Sequence, residues 1–405
     1  MTTQTEQVMA AEATHVLQVY KRIPVMFVRG TGSRLIDENG QDYLDLLSGI
    51  GVASLGHAHA GLADAIAAQA HELLHTSNLY FHPLQAEVAS RLTELSGLSR
   101  TFLCNSGTEA VEACLKFARR YWYTRKEIDR YEIVAFDRAF HGRTFGSLSV
   151  TAGEPYRQPF APLLPGIRFV SPTEPSQLTS AVTDQTAAII VEPIQGEGGV
   201  RPIPKATATA IKEACAKTGT LLIADEVQCG LGRTGQPFYS SALGLTPDLM
   251  SLGKSLGAGV PIGAALTNDA VGDAVSFGDH GSTYGGNLLA CRASLVFLEA
   301  LNGGLIDRVA AAGLRLRAGL ETLVTESDAI NEVRGAGLMC GLDVNAAVAE
   351  RMVNAALGRK LLVNRTAGTV IRLLPPLTIS DDDIDESLRR LRGAFADAGA
   401  NIAAS

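Results

Sequence analysis

The apolar residues of this chain change their rhythm along its length. From about residue 61, short apolar runs, "RTFLCNSG", "YEIVAFDRAF", "TAAIIVEPI", "TLLIADEV" and "PDLMSLGKSLG", alternate with segments of helical periodicity. Apolar runs without polar alternation predict strands buried on both faces, and strands separated by helices predict a mainly parallel sheet. The first 60 residues differ: an amphipathic arm precedes a strand-turn-strand in "MFVRGTGSRLIDENGQDYLDLL", with the turn at Glu38-Asn39-Gly40. Beyond about residue 300 a long helix, "LIDRVAAAGLRLRAGLETLVTE", leads to strand-like "GLMCGLDV", "KLLVNR" and "TVIRLLPPL". A last helix opens at Ser380 with an acidic first turn. These changes divide the chain into 1–60, 61–300 and 301–405.

Composition narrows the function. A chain of 405 residues, 46% hydrophobic, can bury a large core. Lysine and arginine total 35 against 42 acidic residues, a net charge of -7, and no basic block marks a nucleic-acid or membrane surface. Small-molecule chemistry is the class that remains. The N-terminus has no basic stretch followed by an apolar run, and no uncharged apolar run of about 18 residues occurs, so cytoplasmic residence is expected. The six cysteines form no CxxC pair and read as reduced thiols.

Three places carry candidate chemistry. In "RTFLCNSGTEAVEACLKFARRYW" a strand ends at Asn105 and a helix begins at once, so its free N–H groups and the Ser106 and Thr108 hydroxyls form an anion cradle or, more blandly, an N-cap. In "TLLIADEVQCG" a buried strand delivers Asp225 to its carboxyl end, where open α/β sheets bind ligands and where a capping aspartate is equally at home. Lys254 in "SLGKSLGAG" stands alone between Lys217 and Lys360 among small and apolar residues. Desolvation there favours a nucleophilic, Schiff-base-forming amine; a snorkelling surface lysine is the alternative. Together they are what pyridoxal phosphate requires: a phosphate anchor, a partner for the ring nitrogen and an amine.

The segments "NSGTEAVE", "FHGRTFG", "EPIQGEGG", "DEVQCGLGRTG", "GKSLGAGVPIGA" and "GSTYGGN" resemble, in order and over nearly the whole chain, the class-III pyridoxal-phosphate aminotransferases. The resemblance implies the aspartate-aminotransferase-like α/β fold (fold type I), with a large, mixed, mostly parallel sheet domain and a small α+β domain from both chain ends. It also implies a homodimer with shared active sites. Lys254 would hold pyridoxal 5'-phosphate and shuttle the proton, and Asp225 would pair with the ring nitrogen. Ser106, Gly107 and Thr108 would bind the phosphate, Phe140 and Val227 would cover the ring faces, and Gln228 would reach the ring hydroxyl. Thr283 would reach the neighbouring subunit's phosphate. Arg143 would clamp a substrate carboxylate, Glu197 and Arg372 would form a switch pair, and Ser282 would contact an acylated substrate. The implied reaction moves the δ-amino group of N2-acetyl-L-ornithine to 2-oxoglutarate. Ornithine, succinylornithine, succinyl-diaminopimelate and 4-aminobutyrate are alternative donors.

Other motifs compete. "HELLH", residues 71–75, fits a zinc peptidase helix, with Glu94 downstream as a third ligand. "GLGRTG", residues 230–235, fits a dinucleotide loop, yet Pro237 follows where its helix should start. His57 and His59 in "GHAHAG" suggest a metal pair or ordinary loop histidines before a helix. A catalytically dead protein acting through its dimer surface is a third class, against which Lys254, Asp225 and Arg143 together argue. No metal is expected.

Overall fold

The computed structural model describes residues 3–401; the end residues 1–2 and 402–405 of the two terminal segments lie outside it. A seven-stranded sheet lies at its centre, in the order Arg100–Cys104, Gly263–Thr267, Leu249–Leu252, Leu221–Asp225, Thr186–Val191, Glu132–Phe136, Ile167–Val170. From Leu249–Leu252 to Ile167–Val170 all neighbours are parallel. Gly263–Thr267 alone runs antiparallel to both of its neighbours.

The uninterrupted apolar runs have the cause inferred from sequence, because successive residues point to opposite covered faces. Ile190, Leu221 and Ile223 share one core with Val111, Phe117 and Trp122 of the helix Gly107–Thr124. Ile189, Val191 and Leu222 share another with Ala208 and Ile211 of the helix Lys205–Thr218.

Two strands of this sheet were not predicted. Ile167–Val170 is a short edge strand. Gly263–Thr267 is "GAALT", too small in side chain to read as a strand, and the packing explains why. A Cβ on Gly263 would lie 2.2 Å from the Ser106 carbonyl oxygen, so the helix start at 106 crowds this strand.

The chain ends meet in smaller sheets. Phe27–Thr31, Arg34–Asp37 and Asp42–Asp45 form an antiparallel meander, joined in parallel by Leu361–Leu362. The turn at residues 38–40 is present, with Gly40 at φ 77°, and an unpredicted turn at Gly32 makes three strands of the expected two. Ile330–Ala336, Met339–Val344, Val370–Leu373 and Asn364–Thr366 form the other sheet. Ser380 caps the last helix by accepting from the Asp383 N–H, with Asp381, Asp382 and Asp383 in its first turn. The N-terminal helix Gln4–His15 buries no side chain, so the expected amphipathic face does not enter the core; the helix is tied to the chain where the Thr5 N–H and hydroxyl donate to the Glu38 carboxylate.

One helical run, 288–326, is long and apolar enough to cross a membrane by length and composition. Leu288, Phe297, Leu298, Val309 and Leu316 of this run belong to the hydrophobic core.

Candidate active site

Asp225 ends the middle strand of the sheet and is 3% exposed. His141 Nδ1 lies 2.6 Å from its Oδ2, while the Ser251 hydroxyl (3.0 Å) and the Val227 N–H (3.1 Å) donate to Oδ1. An ionised carboxylate accepts at about four sites, so capacity remains for a group in the cavity that Asp225 lines.

The neighbouring parallel strand Leu249–Leu252 delivers Gly253 and Lys254 beside it. Lys254 begins a short turn of 3-10 helix with its backbone at φ 39°. Its amine has no hydrogen-bond partner among the described residues. Burial pushes its pKa down, with the Arg372 charge in support; Asp225 and Glu197 oppose this without cancelling it.

At the helix Gly107–Thr124 the Ser106 hydroxyl accepts from the Glu109 N–H at 3.3 Å, an ordinary N-cap. The N–H groups of Gly107 and Thr108 at this half-buried helix start find no acceptor among the described residues, which leaves them open to a ligand. The Thr108 hydroxyl is not free: it lies 2.6 Å from Ser147 Oγ and accepts from the Arg143 N–H at 3.2 Å. The unfilled donors of the cradle are the backbone N–H groups and the Ser106 O–H, since the hydroxyl that accepts in the cap keeps its own proton to donate. Gly107 is needed there because a Cβ would lie 2.6 Å from Val227 Cγ1.

These groups surround one cavity of about 310 Å³, also lined by Ser106, Phe140, Arg143, Glu197, Val227 and Gln228. That volume is at the lower end of those that hold small ligands. The open N–H pair, the unpartnered amine and the carboxylate fit a phosphorylated, ring-nitrogen aldehyde such as pyridoxal phosphate.

Arg372 is fully buried and its Nη1 donates to Glu197 Oε1 at 2.5 Å and to Gln228 Oε1 at 3.3 Å, while its Nη2 has no partner among the described residues. Burial works to raise the Glu197 carboxyl, but the Arg372 charge and hydrogen bond outweigh it and hold the group below the usual carboxylate range. Arg143 is exposed, with its guanidinium 4.0 Å above the Tyr156 ring rather than in a salt bridge.

Ser282 and Thr283 are not brought into this cavity. Thr283 is exposed, and Ser282 Oγ accepts from Asn105 Nδ2 at 3.1 Å.

Two residues of the site escaped the sequence reading. His141 is buried against Asp225, and Glu192 accepts from the Phe140 N–H (2.8 Å) and the Gly196 N–H (3.1 Å). Burial pushes the Glu192 carboxyl up to about 7, Asp225 adding to this and His141 opposing it. His141 was discoverable, because a buried carboxylate needs a donor and "FHGRTFG" supplies one.

The rival motifs do not assemble. The helix Ala60–Glu72 ends inside "HELLH", with Leu73 already extended, so His71 and His75 do not face one metal from one helix. No helix starts at "GLGRTG"; its Arg233 is buried, donating to the Leu338 and Pro375 carbonyls. His57 Nε2 pairs with Asp45 Oδ2 at 2.8 Å, and His59 caps a helix.

The family profile Aminotransferase class-III matches residues 16–395. The acetylornithine aminotransferase of Methanocaldococcus jannaschii is 42% identical over 387 residues, covering 95% of this chain and 97% of that protein. That of Rhodobacter capsulatus is 43% identical over 383 residues, covering 94% and 97%. Among solved structures, the ornithine aminotransferase of Toxoplasma gondii superposes with a TM-score of 0.94 at 33% identity, covering 98% of this chain and 96% of its own. The N-acetylornithine aminotransferase of Stenotrophomonas maltophilia gives 0.83 at 32% identity, covering 96% and 98%.

Proposed function

We propose that this chain, which belongs to the class-III aminotransferases, moves the δ-amino group of N2-acetyl-L-ornithine to 2-oxoglutarate, giving N-acetyl-L-glutamate 5-semialdehyde and L-glutamate, a step of arginine biosynthesis. The observation that carries the reading is the convergence of the Lys254 amine, the Asp225 carboxylate and the open N–H groups of Gly107 and Thr108 on one cavity.

Pyridoxal 5'-phosphate, when bound, supplies an electron sink that stabilises the carbanion left by proton removal. Gly107 and Thr108 would hold its phosphate with backbone N–H groups, and Asp225 its ring nitrogen. Phe140 and Val227 would cover its faces, with Gln228 near its hydroxyl. Lys254 would hold it covalently until substrate arrives, then take the proton from the substrate δ-carbon, a task its depressed pKa suits. Arg143 presents the planar guanidinium that a substrate carboxylate fits.

Glu197 and Arg372 serve two substrates in turn. Paired, they present little charge to the acylated end of the donor; separated, they release Arg372 for the second carboxylate of 2-oxoglutarate. Glu197→Gln leaves Arg372 uncompensated. It is expected to shift kcat/KM roughly tenfold toward L-glutamate relative to acetylornithine, about the worth of one charge-assisted hydrogen bond. An unchanged ratio of the two rates would remove the pair from substrate choice.

The enzyme acts as a cytoplasmic homodimer in this reading. Asn78 Nδ2 ties the loop before Leu79, Tyr80 and Phe81 to the Ser282 and Gly285 carbonyls, so these exposed side chains stand near Thr283 and exposed Tyr284. A second copy would cover such an apolar surface and receive Thr283.

Ornithine is the second reading, favoured by the 0.94 TM-score to an ornithine aminotransferase. The test is the visible spectrum of the holoenzyme with acetylornithine, ornithine, succinylornithine, succinyl-diaminopimelate and 4-aminobutyrate added one at a time. Acetylornithine is expected to convert the bound cofactor fastest to its amine form. If another donor does so, only the aminotransferase class survives.

A further inference from the structure

Arg143 stands on a segment held partly by its own Thr144–Ser147 contacts and partly by a neighbouring helix. Apart from stacking on Tyr156, and more distantly on Phe140 at 5.2 Å, its guanidinium has no partner among the described residues. The segment runs into the five-residue helix Phe145–Ser149, whose N-cap, Thr144, makes no capping bond with its own side chain.

The cap comes from another helix. Glu112 Oε1 accepts from the Gly146 N–H at 2.7 Å, from the Ser147 N–H at 3.1 Å and from the Thr144 hydroxyl. One turn earlier on that helix, the Thr108 hydroxyl accepts from the Arg143 N–H. Residues at this spacing share a helix face, so a single rigid helix grips both ends of the segment. Glu112 has no salt bridge among the described residues, and its charge is directed at a helix start, where a carboxylate is favourable. The fit is close: a Cβ on Gly146 would lie 2.0 Å from Glu112 Oε2.

We propose that Glu112 is a positioning residue for substrate recognition, fixing residues 142–147 so that Arg143 meets the substrate carboxylate. The inference rests on the reading above that Arg143 takes that carboxylate. The same helix offers the Gly107 and Thr108 N–H groups at its start, so the anion cradle and the carboxylate clamp keep one fixed separation.

The test compares wild type, Glu112→Ala, Glu112→Gln and Arg143→Ala as holoenzymes with matching cofactor spectra. The first readout is the calorimetric Kd of N-acetyl-L-norvaline, which is acetylornithine without its reactive amine. The second is the ratio of donor half-reaction rates, kcat/KM, for acetylornithine over N-acetyl-1,4-diaminobutane, the same donor without its carboxyl group. Glu112→Ala is expected to weaken N-acetylnorvaline about tenfold and to lower the ratio by a similar factor, since a misplaced clamp loses binding geometry. The decarboxylated donor should stay within about twofold of wild type. Glu112→Gln keeps an acceptor oxygen and should recover most of the loss.

Arg143→Ala separates the two ideas. If it leaves the ratio unchanged, the carboxylate reading falls and takes this proposal with it. If it lowers the ratio while Glu112→Ala does not, the proposal alone is overturned. An equal loss with both donors in Glu112→Ala would also overturn it, marking a merely structural residue.

Discussion

Lys254→Ala is expected to lower kcat by about 10⁴-fold with acetylornithine, the upper range for loss of a positioned general acid–base group, here removed together with the covalent anchor. No neighbour replaces it. Among the groups lining the cavity, Glu197 is held by Arg372, Glu192 by two backbone N–H groups and Asp225 by His141 and Ser251. Lys254 brings an amine with no protein partner among the described residues, whereas the ring of His141, whose Nε2 is also unpartnered there, is committed to Asp225 through Nδ1. A single turnover of cofactor-saturated variant and donor, followed by absorbance, measures the effect. After borohydride reduction and denaturation the variant should also release its cofactor, where wild type keeps it bound. A variant within about a hundredfold of wild type would mean that another group carries the proton.

Asp225→Ala, saturated with cofactor, is expected to lose about 10²–10³-fold in kcat, the usual result of removing one electrostatic partner from a developing charge. The donor KM should change by less than about threefold, because the carboxylate acts on the reacting system and not on the donor's recognition groups. The change also leaves His141 buried beside no acceptor, its Nε2 being already unpartnered. Urea unfolding of the variant should therefore show a loss of about 1–3 kcal/mol. The two effects are separable, since the first is read below the unfolding transition. Turnover within about tenfold of wild type would exclude Asp225 from the reaction.

The candidate site was legible in the sequence where its signals were local, and not where they were spatial. Asp225 ends an apolar run, Lys254 is isolated, and Ser106 to Thr108 join a strand to a helix, so each could be read in place. The fold type and cofactor expected from the motifs are those of the family. The Asp225 partner was not readable by spacing, because His141 lies 84 positions away and only the sheet joins them. Arg372 and Glu197, 175 positions apart, were paired through resemblance alone. The strand Gly263–Thr267 was missed for a related reason: its opening glycine answers to the Ser106 carbonyl, a neighbour its own segment does not reveal. "HELLH" failed in the opposite direction, as a local match whose helix stops too soon.

The left-handed backbone at Lys254 sets chemistry against stability. A side chain in that region costs about 1–2 kcal/mol, from which glycine is exempt. The fold alone would favour glycine at this position, next to Gly253, and the proposed reaction requires lysine. The residue proposed to carry the reaction is thus one that the architecture tolerates under strain. An evolving lineage released from the reaction would have a stabilising substitution waiting there, and would move away from catalysis while its fold became firmer.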